Sequence, residues 1–266
     1  MDKRILKFHK LLLLFFLLVQ SCNSQKKATP EQEQILEAAK TNFVFVEGGT
    51  FMMGKNGIRF ANEHEVTLDS YSISKYETTW EEFDVYSELN DLELVYPNYR
   101  NQDDMGPNFG AIGMNWYQAK SYCEWLGEQL NLPIDLRTEA QWEYAARSRG
   151  LNVEHATDSG KIEGSFTEKR NYDGSKVAVG TFPPNPLGIY DMSGGRPEWT
   201  NDWSVMYPEE PITNPRYDTI VNRKDKVIRG FHKLSNSVYV RSSREPEQDG
   251  FGGGFRCVCN QKTKIE

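Results

Sequence analysis

Residues 135–147 read Asp-Leu-Arg-Thr-Glu-Ala-Gln-Trp-Glu-Tyr-Ala-Ala-Arg (DLRTEAQWEYAAR). Thr138 is an N-cap whose hydroxyl can accept a first-turn amide, and Gln141 three residues on can bond back to the Thr138 backbone. The pair sets a helix over 138–147. Upstream, residues 115–130 (NWYQAKSYCEWLGEQL) form the clearest amphipathic pattern in the chain, with Trp116, Ala119, Cys123 and Leu126 on one face. Further back, a Thr79-x-x-Glu82 capping box opens residues 79–88, where Trp80, Phe83 and Tyr86 recur at helical spacing and read as core. Residues 42–54 (NFVFVEGGTFMMG) alternate on each side of Gly48-Gly49, as two strands joined by a tight turn would, and mark the domain start. Residues 65–76 are again strand-like. Beyond Gly150 the helical period vanishes, and dense Gly, Pro, Asn and Asp predict irregular loops held by short strands. The expected fold class is α+β.

Composition narrows the function. A chain of 266 residues is one ordinary domain or two small ones. A formal charge of −7 and a pI near 5.3 lack the basic stripe of a nucleic-acid binder, so no nucleic-acid partner is expected. Six Trp, 13 Tyr and 14 Phe supply a core despite a mean hydropathy of −0.66. The N-terminus departs from this average: Lys3, Arg4, Lys7 and Lys10 precede an uncharged apolar run, Leu11–Val19, and then Gln20-Ser21-Cys22. That order describes an export signal. As a helix the run spans about 14 Å at ~1.5 Å per residue, half of a ~30 Å hydrocarbon layer, which disfavours a membrane span. The stretch Leu18-Val19-Gln20-Ser21-Cys22 resembles a bacterial lipobox, with Cys22 as the acylated residue and Gln20 an unusual occupant. The expected organisation is a signal peptide over 1–21, a lipid-anchored tether over 22–40, and one domain over 41–262.

Export puts Cys123, Cys257 and Cys259 in an oxidising compartment, where pairing is favoured over metal thiolates. Cys257 and Cys259 are separated by one residue and are expected on opposite faces of a strand, which makes a bond between them poor. The alternatives are a long bridge from Cys123 to one of them, or three buried thiols.

The succession FVEGGTFMMG, EVTLDSYSISKYETT, NWYQAKSYCEWL, DLRTEAQWEYAAR, FPPNPLGIYDMSGGRPEW, VIRG and GGGFRC, running from Asn42 to Cys259, resembles the formylglycine-generating enzyme, or sulfatase-modifying factor, family. The resemblance implies a single domain related to the C-type lectin fold and often stabilised by calcium. Active members oxidise a cysteine of exported sulfatases, holding copper(I) between two thiolates in a segment Arg-Gly-Gly-Ser-x-x-Cys-x-x-x-x-Cys; many relatives are non-catalytic. Here that segment begins at Arg229, His232 replaces the serine, and Ser235 and Val240 stand at the two cysteine positions. A hydroxyl and an isopropyl group do not provide the soft ligands copper(I) prefers, so no copper is expected. In the neighbouring block Pro197 removes an aromatic ring from the substrate groove.

For calcium the resemblance carries over Asp191 and Glu198 as side-chain ligands, with Gly194 and Arg196 offering carbonyls, an oxygen set that suits the ion. The bland alternative is a Glu198 bonded to loop amides. A second calcium set resembles Asn171 and Tyr172, with Asp173 a substitute for its missing acid. Of the cysteines, Cys22 goes to lipid, Cys123 pairs with Cys257, and Cys259 stays free. His64, His155 and His232 are scattered singles, and no Gly-x-Ser-x-Gly hydrolase motif occurs. Arg229, Arg241, Arg244 and Arg256 are expected to pair with nearby carboxylates such as Glu245 and Asp249. The expectation is a catalytically inactive lipoprotein of the bacterial cell envelope, on the outer membrane. It would be a structural or binding component for envelope proteins or an exposed ligand, as similar domains are in gliding and type IX secretion machinery. The rival is a periplasmic oxidoreductase acting through Glu198, His232 and Arg229.

Overall fold

Each helix of the described residues opens on a reciprocal capping box, the device legible at Thr138. The computed structural model describes residues 26–58, 60–97, 105–162, 177–221, 223–230, 236–248 and 253–266. Helix α1 spans Pro30–Thr41, α2 Trp80–Leu89, α3 Trp116–Leu130 and α4 Glu139–Ala146, with Thr29, Thr79, Asn115 and Thr138 as their caps. Asn131, left-handed at φ 51°, ends α3.

Ten short strands complete the framework of the described residues: β1 (Phe43–Val46), β2 (Gly49–Met53), β3 (His64–Leu68), β4 (Tyr71–Ser74), β5 (Ile134–Leu136), β6 (Glu198–Trp203), β7 (Ile212–Thr213), β8 (Lys226–Arg229), β9 (Ser242–Arg244) and β10 (Cys257–Cys259). They form three sheets, ordered β1-β4-β10-β5, β2-β3-β7 and β6-β8-β9. Helix makes up 22% and strand 20% of the described residues; the helical share lies below the roughly 30–35% of ordinary globular proteins. The fold is mixed helix and sheet with long irregular connections, as expected.

Three local expectations are corrected. The Gly48-Gly49 turn does not close a hairpin. β1 pairs with β4 and β2 with β3, both antiparallel, so the turn carries the chain from one sheet to another. A Cβ on Gly48 would lie 2.4 Å from the Leu68 carbonyl oxygen, so this corner requires glycine. The tether expected over 22–40 is helix α1 from Pro30 onward, and Ile35, Leu36 and Ala39 pack on the core. Finally, Cys257 and Cys259 do not face opposite ways. Residues i and i+2 of a strand share a face, and both cysteines enter one core cluster while Val258 between them enters the other.

β10 therefore separates two cores. One gathers Phe51, Val66, Tyr71, Ile73, Trp142 and Tyr144. The second gathers Trp80, Phe83, Tyr122, Trp125, Trp199 and Phe255 around the Cys123–Cys257 disulfide. That bridge is the expected one, and Cys259 is a buried free thiol.

Candidate functional site

The Thr138 cap directs α4 so that Glu139 and Glu143, one turn apart, face the end of β8. Both carboxylates converge on Arg229. Its Nη1 donates to Glu139 Oε1 at 2.9 Å and its Nη2 to Glu143 Oε2 at 2.8 Å. Nη2 also donates to the Val238 carbonyl, and the guanidinium lies 4.9 Å from the Trp142 ring centroid. Arg241 grips both oxygens of Glu139, at 2.8 and 2.6 Å, and Arg147 reaches Glu143 Oε1 at 3.0 Å. Burial alone would raise the Glu139 pKa, but Arg241 and Arg229 overcome it and hold the carboxyl below its ordinary value. Arg229 is 1% exposed. Its charge is paired inside the protein with Glu139 and Glu143 through both Nη atoms.

A second cage adjoins the first through Trp142, whose indole N–H donates to Glu198 Oε2 at 3.0 Å. Glu198 is completely buried and accepts from two arginines. Arg137 Nη2 meets Oε2, while Arg256 donates from Nε at 3.0 Å and from Nη2 at 2.7 Å to Oε1. Burial pushes the Glu198 pKa up, yet Arg256 and Arg137 prevail and lower it. Burial also pulls the Arg137 guanidinium down to about 10, against the pull of Glu198. Neighbouring Glu77 accepts from the Arg196 amide at 2.5 Å. Burial, then the charges of Glu198 and Asp191, raise its pKa well above the usual carboxylate range. Asp191 takes the Gly180 amide at 2.7 Å on Oδ2, and burial raises its pKa too.

These contacts decide the fit of calcium in the 191–198 loop. The Glu198 oxygens are taken by two guanidinium groups and an indole, not by loop amides. Gly194 donates its N–H to the Gly230 carbonyl, and Arg196 reaches Gly110 O through Nε at 3.2 Å. The buried Asp191 Oδ1 has no hydrogen-bond partner, but a single unsatisfied oxygen does not make a calcium site. Among the described residues, no group of three His, Cys, Asp or Glu side chains is arranged to hold a metal. The donor set does not suit the ion.

Glycine-bearing backbone packs closely on the cage. A Cβ on Gly110 would fall 2.1 Å from Glu77 Oε2, one on Gly253 2.5 Å from the Pro197 carbonyl oxygen, and one on Gly254 2.6 Å from the Ala111 oxygen. Arg196 is buried between these glycine-lined segments. Of the remaining expected residues, Val240 is half-buried, with its N–H on the Ser237 carbonyl. Cys22, Asn171, Tyr172, Asp173, His232, Ser235 and Asp249 lie outside the described residues. The arginines do pair with carboxylates: Arg229, Arg241 and Arg256 use Glu139, Glu143 and Glu198, and Glu245 is not among their partners. His64 is buried against Tyr207, with ring centroids 4.7 Å apart, and burial lowers its pKa. Sequence reading missed Glu77, Arg137, Glu139 and Glu143. The i, i+4 acids just inside the Thr138 cap were the one available signal.

Short strands and capped helices pack around the buried arginine–carboxylate cages. The sulfatase-modifying factor enzyme 1-like domain family matches residues 26–261, and the chain belongs to it. It is similar to a protein named serine/threonine-protein kinase pkn1 from Chlamydia pneumoniae, 31% identical over 265 residues, covering 88% of this chain and 40% of that protein. It is also similar to the formylglycine-generating enzyme of Mus musculus, 30% identical over 175 residues, covering 58% of this chain and 45% of the enzyme. The chain thus spans less than half the length of either relative. Among solved structures, Treponema denticola variable protein 1 superposes with a TM-score of 0.67 at 21% identity, over 82% of this chain and 95% of that one.

Proposed function

We propose that this is a non-catalytic member of the family, a lipid-anchored protein of the bacterial cell envelope whose domain serves as a structural or binding module. The observation that carries the reading is the engagement of Arg229 and Glu198. Of the three groups that a copper-independent oxidoreductase would draw on, Glu198, His232 and Arg229, the two described ones are at most 1% exposed and ion-paired with other side chains. Ser235 and Val240 at the thiolate positions support the same conclusion, since neither binds copper(I). Of the described cysteines, two form a disulfide and the third is buried in the core. The relatives carry different names, a serine/threonine-protein kinase and a formylglycine-generating enzyme, so membership of the family does not by itself assign an activity.

The lipobox-like Cys22 supports anchoring on the outer membrane, and α1 leaves only a short link between lipid and domain. Envelope assemblies such as gliding or type IX secretion machinery are the setting that we propose, on a scaffold related to the C-type lectin fold. The internal arginines take the place of calcium in the 191–198 loop. Metabolic labelling with a fatty acid tests the anchor: wild-type protein is labelled and membrane-bound, and Cys22→Ala is neither. Copurification of envelope proteins with the lipidated form tests the module role. A labelled Cys22→Ala protein, or a lipidated form isolated without partners, contradicts the corresponding part.

A further inference from the structure

Away from the closed cages, a groove of about 690 Å³ opens between the loop after α4 and the 236–240 segment. Its floor is rigid. Val238 donates its N–H to the Glu154 carbonyl at 2.9 Å, the His155 amide donates to the Gly160 carbonyl at 3.1 Å, and the Tyr239 hydroxyl bonds to Asn152 Oδ1 at 3.0 Å. Gly160, at φ +73°, packs so closely on Val153 that a Cβ would sit 2.6 Å from its methyl carbon. The size lies within the ~300–1,000 Å³ of small-molecule sites, and the floor does not have to be ordered on binding.

The lining chemistry is specific. Lys55 and Lys161 are exposed at the rim, and neither ammonium has a carboxylate partner among the described residues. Lys55 Nζ stands 4.8 Å from the Tyr239 ring centroid, which fixes its position over the groove. In a chain of net charge −7, two lysines in one concavity focus a local positive field on an anion. The other polar groups are the Asn152 amide, the Ser159 hydroxyl, the buried His155 imidazole and the exposed Glu154 carboxylate. Amide and carboxylate oxygens accept from hydroxyl groups, and Glu154 repels a second negative charge. Val153 and Ile162 add small apolar surfaces.

We propose that this groove binds an acidic saccharide, one anionic group on a hydroxyl-rich body, with Lys55 and Lys161 on the anion and Asn152, Ser159 and Glu154 on the hydroxyls. The inference goes beyond the non-catalytic reading, since it stands whether or not the domain turns over a substrate. Calorimetric titration of the full domain with cellobiouronic acid, cellobiose, glucuronate, inorganic phosphate and inorganic sulfate tests it. The acidic disaccharide should bind, cellobiose should bind at least tenfold more weakly, and the inorganic anions should compete only at high concentration. Lys55→Ala and Lys161→Glu should each weaken the acidic disaccharide at least tenfold with an unchanged melting temperature, because both side chains are exposed. Lys40→Ala, distant on α1, should change nothing. Absence of binding by the acidic disaccharide overturns the proposal. So does equal binding by phosphate or sulfate, which makes the groove an ion site only, or affinity indifferent to both lysines.

Discussion

Glu198 pairs with two guanidinium groups through one carboxylate, in a place that water does not reach. Removing one partner from a buried pair leaves an uncompensated charge, typically at a cost of ~3–5 kcal/mol. Glu198→Gln is therefore expected to lose about that much in denaturant unfolding, since Arg137 and Arg256 would both be stranded. Adding calcium or a chelator should leave the wild-type melting temperature unchanged; a rise with calcium would show that an ion, and not Arg137, completes the loop. Asp202 provides a pH test. Burial pushes its pKa up to about 6 from an ordinary 3.8, although the Tyr217 and Glu139 amides oppose the shift. The folded protein thus binds this proton more tightly than the unfolded chain. The resulting stability is fully present below pH 3.8 and is lost as pH rises to about 6, up to about 3 kcal/mol at ~1.4 kcal/mol per pKa unit. Asp202→Asn should flatten the stability profile across that window, measured by urea unfolding from pH 4 to 7.

Among the elements, helices were read best because a cap is a local signal. Thr79, Asn115 and Thr138 each bond a backbone amide three residues on, and the box residue bonds back. Thr138→Ala should cost about 1 kcal/mol and loosen the start of α4. Hydrogen exchange at Glu139–Gln141 should detect this directly. The sheets were harder to read, because alternation around Gly48-Gly49 looks the same for a hairpin and for a corner between sheets. Only the pairing of β1 with β4 separates the two. α1 escaped notice because Ala39 is its one fully buried side chain, so a polar helix read as a tether. The cysteine faces were misassigned by parity, yet the Cys123 partner was right. The bridge joins residues 134 apart. In the chain-entropy view it contributes about 4–5 kcal/mol, so the Cys123→Ala/Cys257→Ala double variant should lose that amount in unfolding experiments.

At the scale of the molecule, the order of seven motif blocks identified the family, because together they cover the scaffold end to end. The cages escaped sequence reading. Arg229 and Glu139 are 90 residues apart, and Arg256 and Glu198 are 58 apart. Nothing local pairs an arginine with one acid instead of another, so Glu245 looked as good a partner as Glu139. By resemblance, Ser235 and Val240 stand at the two copper positions. The structure adds that Arg229 and Glu198 are buried in ion pairs with Glu139, Glu143, Arg137 and Arg256.

Reaction of the purified, disulfide-intact domain with a cysteine-containing peptide under oxygen, with copper(I) supplied, tests the non-catalytic reading most directly. With Arg229 and Glu198 engaged and Val240 at one thiolate position, the expected result is no tight copper(I) binding, no peptide-dependent oxygen uptake and no change in peptide mass. Conversion of the peptide cysteine to an aldehyde, with or without copper, would contradict the account.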